Sequence, residues 1–358
     1  MNLRAAVIVQ ILVSIFLLAS CTQASAAPTS TAAPTSTPTP TPTASVGFSA
    51  ELLPLIQLEW TARLTRSLSL IPSDYSPAIF LDVQAALANA GIQESLDLEV
   101  LGLLDTLQPG ASTSVDSAVV AFSRDGNRMI MVIQGTLDVD GLLAAAGGLG
   151  LVELGQEPEK HRDYDIQSGD VFDISLAFAS VDGSTLLIAT GPPSVGATGP
   201  EQIRTALDSF DGLVTGLLDD PETSLMVREL PPGMMAVVLG NCANLTVLFH
   251  NRTLQGCTGA AFSAELAKSS SGAINAIVGY ENEAQASTAM ELMGEEGFQL
   301  DGLTLEKVSV VRERSLLRLK LPANVNQVAT AFETLRLPKL LQKNPALQHA
   351  RGEEFSRS

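Results

Sequence analysis

The stretch from Thr22 to Ser49 contains no charged residue and is built from repeats of Ala-Pro-Thr-Ser and Thr-Pro. Such a segment has too little apolar surface to offset the entropy lost on ordering, so it predicts a disordered linker over residues 21–48. Its prolines favour extended polyproline II, a tether of about 80 Å at roughly 3.1 Å per residue. The folded body must therefore be built from residue 49 onward. With 46% hydrophobic residues, the chain has enough apolar material for that.

What precedes the linker reads as an address. Met1 to Arg4 carries one positive charge, and Ala5 to Leu18 is apolar throughout apart from Gln10 and Ser14. That run suits a signal peptide and is short for a membrane span. It ends in Leu18-Ala19-Ser20-Cys21, which resembles the lipobox of bacterial lipoproteins. The resemblance implies cleavage after residue 20, a diacylglyceryl group on the Cys21 thiol, and a membrane as the first partner of the chain. An ordinary secretory peptide cut near Ala24-Ser25-Ala26 is the alternative. The dense Thr, Ser and Pro of the linker also resembles O-glycosylated stalks.

The body reads as an α+β fold of two diverged copies, residues 49–218 and 219–337, each an antiparallel sheet packed against helices. A polar tail, 338–358, follows. Leu52, Leu55, Ile56, Leu58 and Trp60 mark a first helix over Glu51–Leu70. Ala78–Leu81 predicts a strand, followed by a helix through Ala90 and another from Ser95 to Gln108. The period then becomes two: Ser117–Ser123 and Arg128–Gly135 flank the turn Arg124-Asp125-Gly126-Asn127. Asp138 is placed to cap a helix through Ala146. Strands follow at Tyr164–Gln167, Val171–Val181 and Thr185–Thr190, and Gly199-Pro200 opens a helix through Phe210. A similar order returns with strands at Met234–Leu239, Gly259–Glu265 and Ala273–Tyr280, an Asn282-capped helix, strands at Leu305–Val311 and Leu316–Leu321, and a helix over Val325–Leu335. The seam falls near Asp219 to Pro232. This arrangement resembles uncharacterised two-copy lipoproteins exported by bacteria, a resemblance that implies no activity.

Charge narrows the partners. Net charge is −18, and between Thr22 and Leu300 there are 33 acidic and 10 basic residues. Such a surface repels nucleic acid and anionic headgroups. From Asp301 onward the balance reverses to 10 basic and 6 acidic residues. Arg312, Arg314, Arg318 and Lys320 are spaced to share a strand face, either as a solvated edge or as a dock for an acidic or lipid partner. Aromatic residues make up only 4% of the chain, so stacking on sugars or bases is disfavoured.

Motif chemistry is sparse. Cys242 and Cys257 form an even pair, which in an exported protein predicts a disulfide closing a loop worth about 3 kcal/mol. Asn244-Leu245-Thr246 and Asn251-Arg252-Thr253 match glycosylation sequons inside that loop. His161, His250 and His349 are far apart, and no metal motif, Gly-x-Ser-x-Gly elbow or phosphate loop is present. Asp163, Asp165, Asp170 and Asp173 flank an expected Ser168-Gly169 turn, as solvated strand ends or a weak cation site. No catalytic residue, metal or cofactor is assigned. The leading expectation is a non-catalytic binding or envelope-interaction module. A carrier of an apolar ligand or lipid, and a hydrolase with an unrecognised site, are the alternatives.

Overall fold

The computed structural model describes residues 52–87, 114–124, 126–139, 141, 153–154, 157–171, 174–191, 198–242, 255–266, 271–296, 298–300, 303–305 and 308–324. The helices expected at Ser95–Gln108 and Val325–Leu335, the linker and Cys21 lie outside them.

Helix α1 (Leu52–Ser69) leads into β1 (Tyr75–Asp82), and α2 (Val83–Leu87) follows directly. The Asp82 carboxylate ends the strand and starts the helix by accepting the Ala85 N–H at 2.9 Å. A hairpin of β2 (Ser114–Ser123) and β3 (Met129–Thr136) comes next. In its turn Gly126 takes a φ of 69°, which glycine adopts without steric cost. The short strands β4 (Glu153–Leu154) and β5 (Glu159–His161) precede β6 (Tyr164–Val171), β7 (Ile174–Asp182) and β8 (Thr185–Gly191). Helix α3 (Gly199–Phe210) begins with Pro200 in its first turn, and the Glu201 carboxylate accepts the Thr198 N–H at 2.7 Å.

The expected seam holds a 3-10 turn (Leu217–Asp219) and a helix that sequence reading passed over, α4 (Pro221–Glu229). Its signal was legible: Asp220 accepts the Thr223 N–H at 2.8 Å, and Pro221 follows at the favoured first position. Then come β9 (Met235–Leu239), β10 (Cys257–Leu266), β11 (Ser271–Tyr280) and α5 (Glu283–Glu296). The Asn282 side chain caps α5 by accepting the Gln285 N–H at 3.0 Å. The chain continues through β12 (Phe298–Leu300), β13 (Leu303–Leu305), β14 (Ser309–Glu313) and β15 (Leu316–Asn324). One strand was expected over Leu305–Val311. The structure divides it, with β13 pairing β12 in a separate hairpin and β14 pairing β15.

Among the described residues, thirteen strands form one antiparallel sheet, ordered β14-β15-β11-β10-β9-β1-β2-β3-β8-β7-β6-β4 with β5 also on β6. Outward from the central β1–β9 pair, the order reads alike in both directions. A hairpin comes first (β2-β3 or β10-β11), and a second hairpin then returns with its later strand inward (β8-β7 or β15-β14). The fold is α+β, with helices on both faces. On one face α1, α3 and α4 bury Trp60, Leu64, Leu68, Ile203, Leu207 and Met226 against Phe80, Val119, Val132 and Leu187. On the other, α5 buries Ala286, Ala289 and Met293 against Val278, Leu317 and Leu319.

The core on the α1 face runs across both halves. Trp60 of α1 packs edge-on to Phe80 at 5.6 Å between ring centroids and donates its indole N–H to the Gly233 carbonyl at 2.7 Å. Gly233 itself lies so close to β10 that a Cβ there would stand 2.5 Å from the Ala264 carbonyl oxygen.

Candidate functional site

Cys242 and Cys257 are joined by a disulfide with a Cα–Cα distance of 5.6 Å. It ties the end of β9 to the start of β10, and such bonds persist in oxidising compartments outside the cytosol. Among the described residues no helix is long and apolar enough to cross a membrane.

Asp163 and Asp165 do not converge with Asp170. The expected turn at Ser168-Gly169 is continuous strand, because Ser168 pairs Ala177 and Gly169 pairs Leu176. Asp163 and Asp165 therefore sit near the β5–β6 turn, with Asp165 paired to Lys160 at 3.2 Å, while Asp170 lies at the far end of β6. Asp173 lies outside the described residues. Asp138 is occupied as a cap, accepting the Gly141 N–H at 3.0 Å. No group of three or more potential metal ligands occurs among the described residues.

The basic residues also separate. Antiparallel pairing sets Arg312 opposite Leu317 on the α5 face, where it lies 3.8 Å from Glu283. Arg314 falls in the turn with a φ of 55°. Arg318 points to the other face and pairs with Glu229 of α4 and with Glu313 at 3.1 Å. A turn inside the run reverses the chain, so spacing alone does not put the four on one face.

His161 meets Asp208 of α3 at 2.8 Å, and Arg162 bridges Asp208 and Asp211 at 3.1 and 3.2 Å. Arg204 of α3 returns to Glu159 of β5. These contacts clamp the β5–β6 hairpin to the helix, so His161 and Arg162 brace the fold.

The register lines up two rows of polar side chains on the face that carries α1, α3 and α4. Directly paired residues in an antiparallel sheet point to the same side. The first row is Asp82–Ser117–Gln134–Thr185, all buried. Arg63 of α1 contacts Asp82 at 2.8 Å, and Ser117 donates to the Gln134 amide oxygen at 3.1 Å. Burial pushes the Asp82 carboxyl above its ordinary value, against the opposing effects of the Ala85 N–H and Arg63, while Asp116 and Glu59 add to the rise. Gln134 Nε2, Thr185 Oγ1 and Arg63 Nε have no partner among the described residues.

The second row is Ser263–Asn275–Lys320–Ser309, crossing β10, β11, β15 and β14. Ser263 and Asn275 are 2% and 5% exposed, and neither Ser263 Oγ nor Asn275 Nδ2 has a partner among the described residues. Each such buried donor costs about 1–3 kcal/mol when unmet. Sequence reading missed both rows. The trace they leave is a lone polar residue inside an apolar strand, as with Gln134 in Met129–Gly135 and Asn275 in Ala273–Val278.

These elements define an antiparallel α+β protein with a disulfide-bonded second half. No family model matches the chain, and no curated protein matches it. By structure it is similar to the protein TP0453, solved in several crystal forms. Form III aligns at a TM-score of 0.47 with 9% identity over 74% of this chain and 96% of that one. Form I gives 0.46 with 8% identity over 75% and 97%, and form IV gives 0.46 with 10% over 74% and 96%.

Proposed function

We propose that the chain is an exported lipoprotein, anchored through Cys21, whose body is a non-catalytic binding module held off the membrane by the Thr/Pro linker. The observation that carries the anchor is a matter of cysteine accounting. The chain has three cysteines, and Cys242 and Cys257 take each other. Cys21 is left with a free thiol directly behind an apolar signal run, where the lipobox resemblance requires one. The bracing contacts support the binding reading, because His161, Asp208, Arg162 and Arg318 are all committed to holding elements together. Labelling cells with a fatty-acid probe tests the anchor: wild-type chain takes the label, and Cys21→Ala loses it. Continued labelling of that variant overturns the reading. Crosslinking in intact cells, followed by affinity capture of the chain, tests the module. Recovery of nothing above control counts against it.

The carrier reading draws on one feature of the first half. Phe122, Met129, Met131, Ile133, Phe178 and Ile188 form a buried cluster on the face opposite α3, and methionine side chains adapt readily to apolar ligands. Native mass spectrometry of the intact chain showing no added lipid mass rules against it.

A further inference from the structure

We propose that β14 is a docking edge for a second copy of this chain, paired antiparallel about a two-fold axis at Val311. The two ends of the sheet are unlike. At one end, β4 and β5 are only two and three residues long and share β6. Contacts of His161, Arg162 and Arg204 tie that end to α3. Edge strands so short and so held resist strand addition. At the other end, β14 offers five residues, Ser309–Glu313, and nothing pairs with its outer side among the described residues. Ser309, Val311, Arg312 and Glu313 are exposed, Val311 by 53%. Such an edge leaves a row of backbone N–H and C=O groups unpaired, and a second strand supplies their partners.

Charge selects both the occupant and the register. A two-fold axis normal to the sheet keeps every side chain on its own face. Centred on Val311, it sets Val311 against the partner's Val311 and Ser309 against the partner's Glu313. Ser309 stands beside Lys320 of β15. Lys320 is exposed and has no ion pair among the described residues, whereas Arg318 is held by Glu229 and Glu313. Lys320 and the partner's Glu313 are then two strand spacings apart, about 10 Å between Cα atoms. Their long side chains close that gap from both ends, over the small Ser309. The same contact forms a second time across the axis. On the other face Arg312 meets the partner's Val310 and keeps Glu283 at 3.8 Å. An axis at Arg312 or at Glu313 would set like charges directly opposite, which is unfavourable. An axis at Val310 would bring the partner's Val311, not a carboxylate, into the row of Lys320. The chain carries −18 overall, yet its balance turns basic from Asp301 onward, so two copies repel least at this end.

Five paired residues make a contact below the roughly 1,200 Å² of a stable interface. The dimer is therefore weak in free solution, and cross-linking, which traps it, is the fitting measurement. Intact cells producing the full chain with Val311→Cys are treated with a mild oxidant, and the products are separated by mass without reductant. Directly opposed residues lie about 4.5–5.5 Å apart between Cα atoms, within the span of a disulfide. A product of twice the chain mass is expected, about tenfold above that of Leu58→Cys, which is exposed by 66% on α1 and reports random collision. Wild type gives the background of the natural cysteines. Adding Lys320→Glu to Val311→Cys sets two carboxylates together on each side of the axis and should lower the yield about fivefold. Val311 and Lys320 are both exposed, so these variants keep the fold. A yield no higher than that of Leu58→Cys overturns the proposal. So does a main product of any other mass, which would assign the edge to a different protein, or a yield that Lys320→Glu leaves unchanged.

Discussion

The two halves share a strand order but fill the same level of the sheet differently. One row runs Ile166–Ala179–Leu187–Val132–Val119–Phe80–Ala236 across the first half and the central pair, apolar throughout, beneath α1 and α3. The row then continues as Ser263–Asn275–Lys320–Ser309 across the second half. Where the side chains are apolar, the row supplies cohesion. Where they are polar, with two donors unmet, it has given up cohesion and kept hydrogen-bonding capacity. The halves also end differently: β7 is extended by β6, β5 and β4, while beyond β14 no further strand pairs among the described residues. A shared topology thus fixes where side chains stand and leaves open what they do.

The largest expected effect lies at the apolar centre of the row. Phe80→Ala should cost about 3–5 kcal/mol, because Phe80 is fully buried against Trp60. Ser309→Ala at the exposed polar end should stay within about 0.5 kcal/mol. Urea denaturation of both variants checks the pair, and equal losses would erase the distinction between the two ends.

Next comes the disulfide, which only the second half has among the described residues. Replacing Cys242 and Cys257 by serine should lower stability by about 3 kcal/mol, read as a shift in the denaturation midpoint under non-reducing conditions. Amide hydrogen exchange should show the loss concentrated in β9 and β10 rather than β7 and β8.

A smaller loss, about 1–3 kcal/mol, is expected from Gly199→Ala. A Cβ there would stand 2.8 Å from the Ala177 backbone nitrogen, so α3 must lift from β7. A thermal melt within a degree of wild type would show that the helix can shift freely.

The smallest effect concerns pH. Burial raises the Asp82 carboxyl, so the folded state holds its proton more tightly than the unfolded chain does. The associated stability is fully present below the ordinary carboxylate value near 3.8 and is lost as pH rises through the raised value. Relative to Asp82→Asn, wild type should therefore lose ground as pH climbs from acid toward neutral. A difference that grows in favour of wild type over that range would mean that Arg63 outweighs desolvation.

Much of the fold was legible because local rules govern it. Alternation with a Gly126 turn announced the β2–β3 hairpin, and Asn282 and Gly199-Pro200 announced the starts of α5 and α3. The α4 start at Asp220-Pro221 was equally readable and went unread. The division of Leu305–Val311 was not legible, since nothing local shows that Leu305 pairs backward with Phe298 while Val310 pairs forward with Leu319. The polar rows were hidden for a related reason. Asp82 and Thr185 are distant in sequence, and only pairing through Ser117 and Gln134 places them on one line.

By itself, the sequence determined the chemistry of each segment: an apolar run before Cys21, an uncharged stretch from Thr22 to Ser49, and alternating strands with their caps. Those properties depend on neighbours along the chain. Tertiary structure alone decided that Arg312 and Arg318 face opposite ways and that Ser263, Asn275, Lys320 and Ser309 share one side of one row. Side-chain alternation is written residue by residue, but the register between strands is set by how whole faces pack, and the register chooses which residues meet.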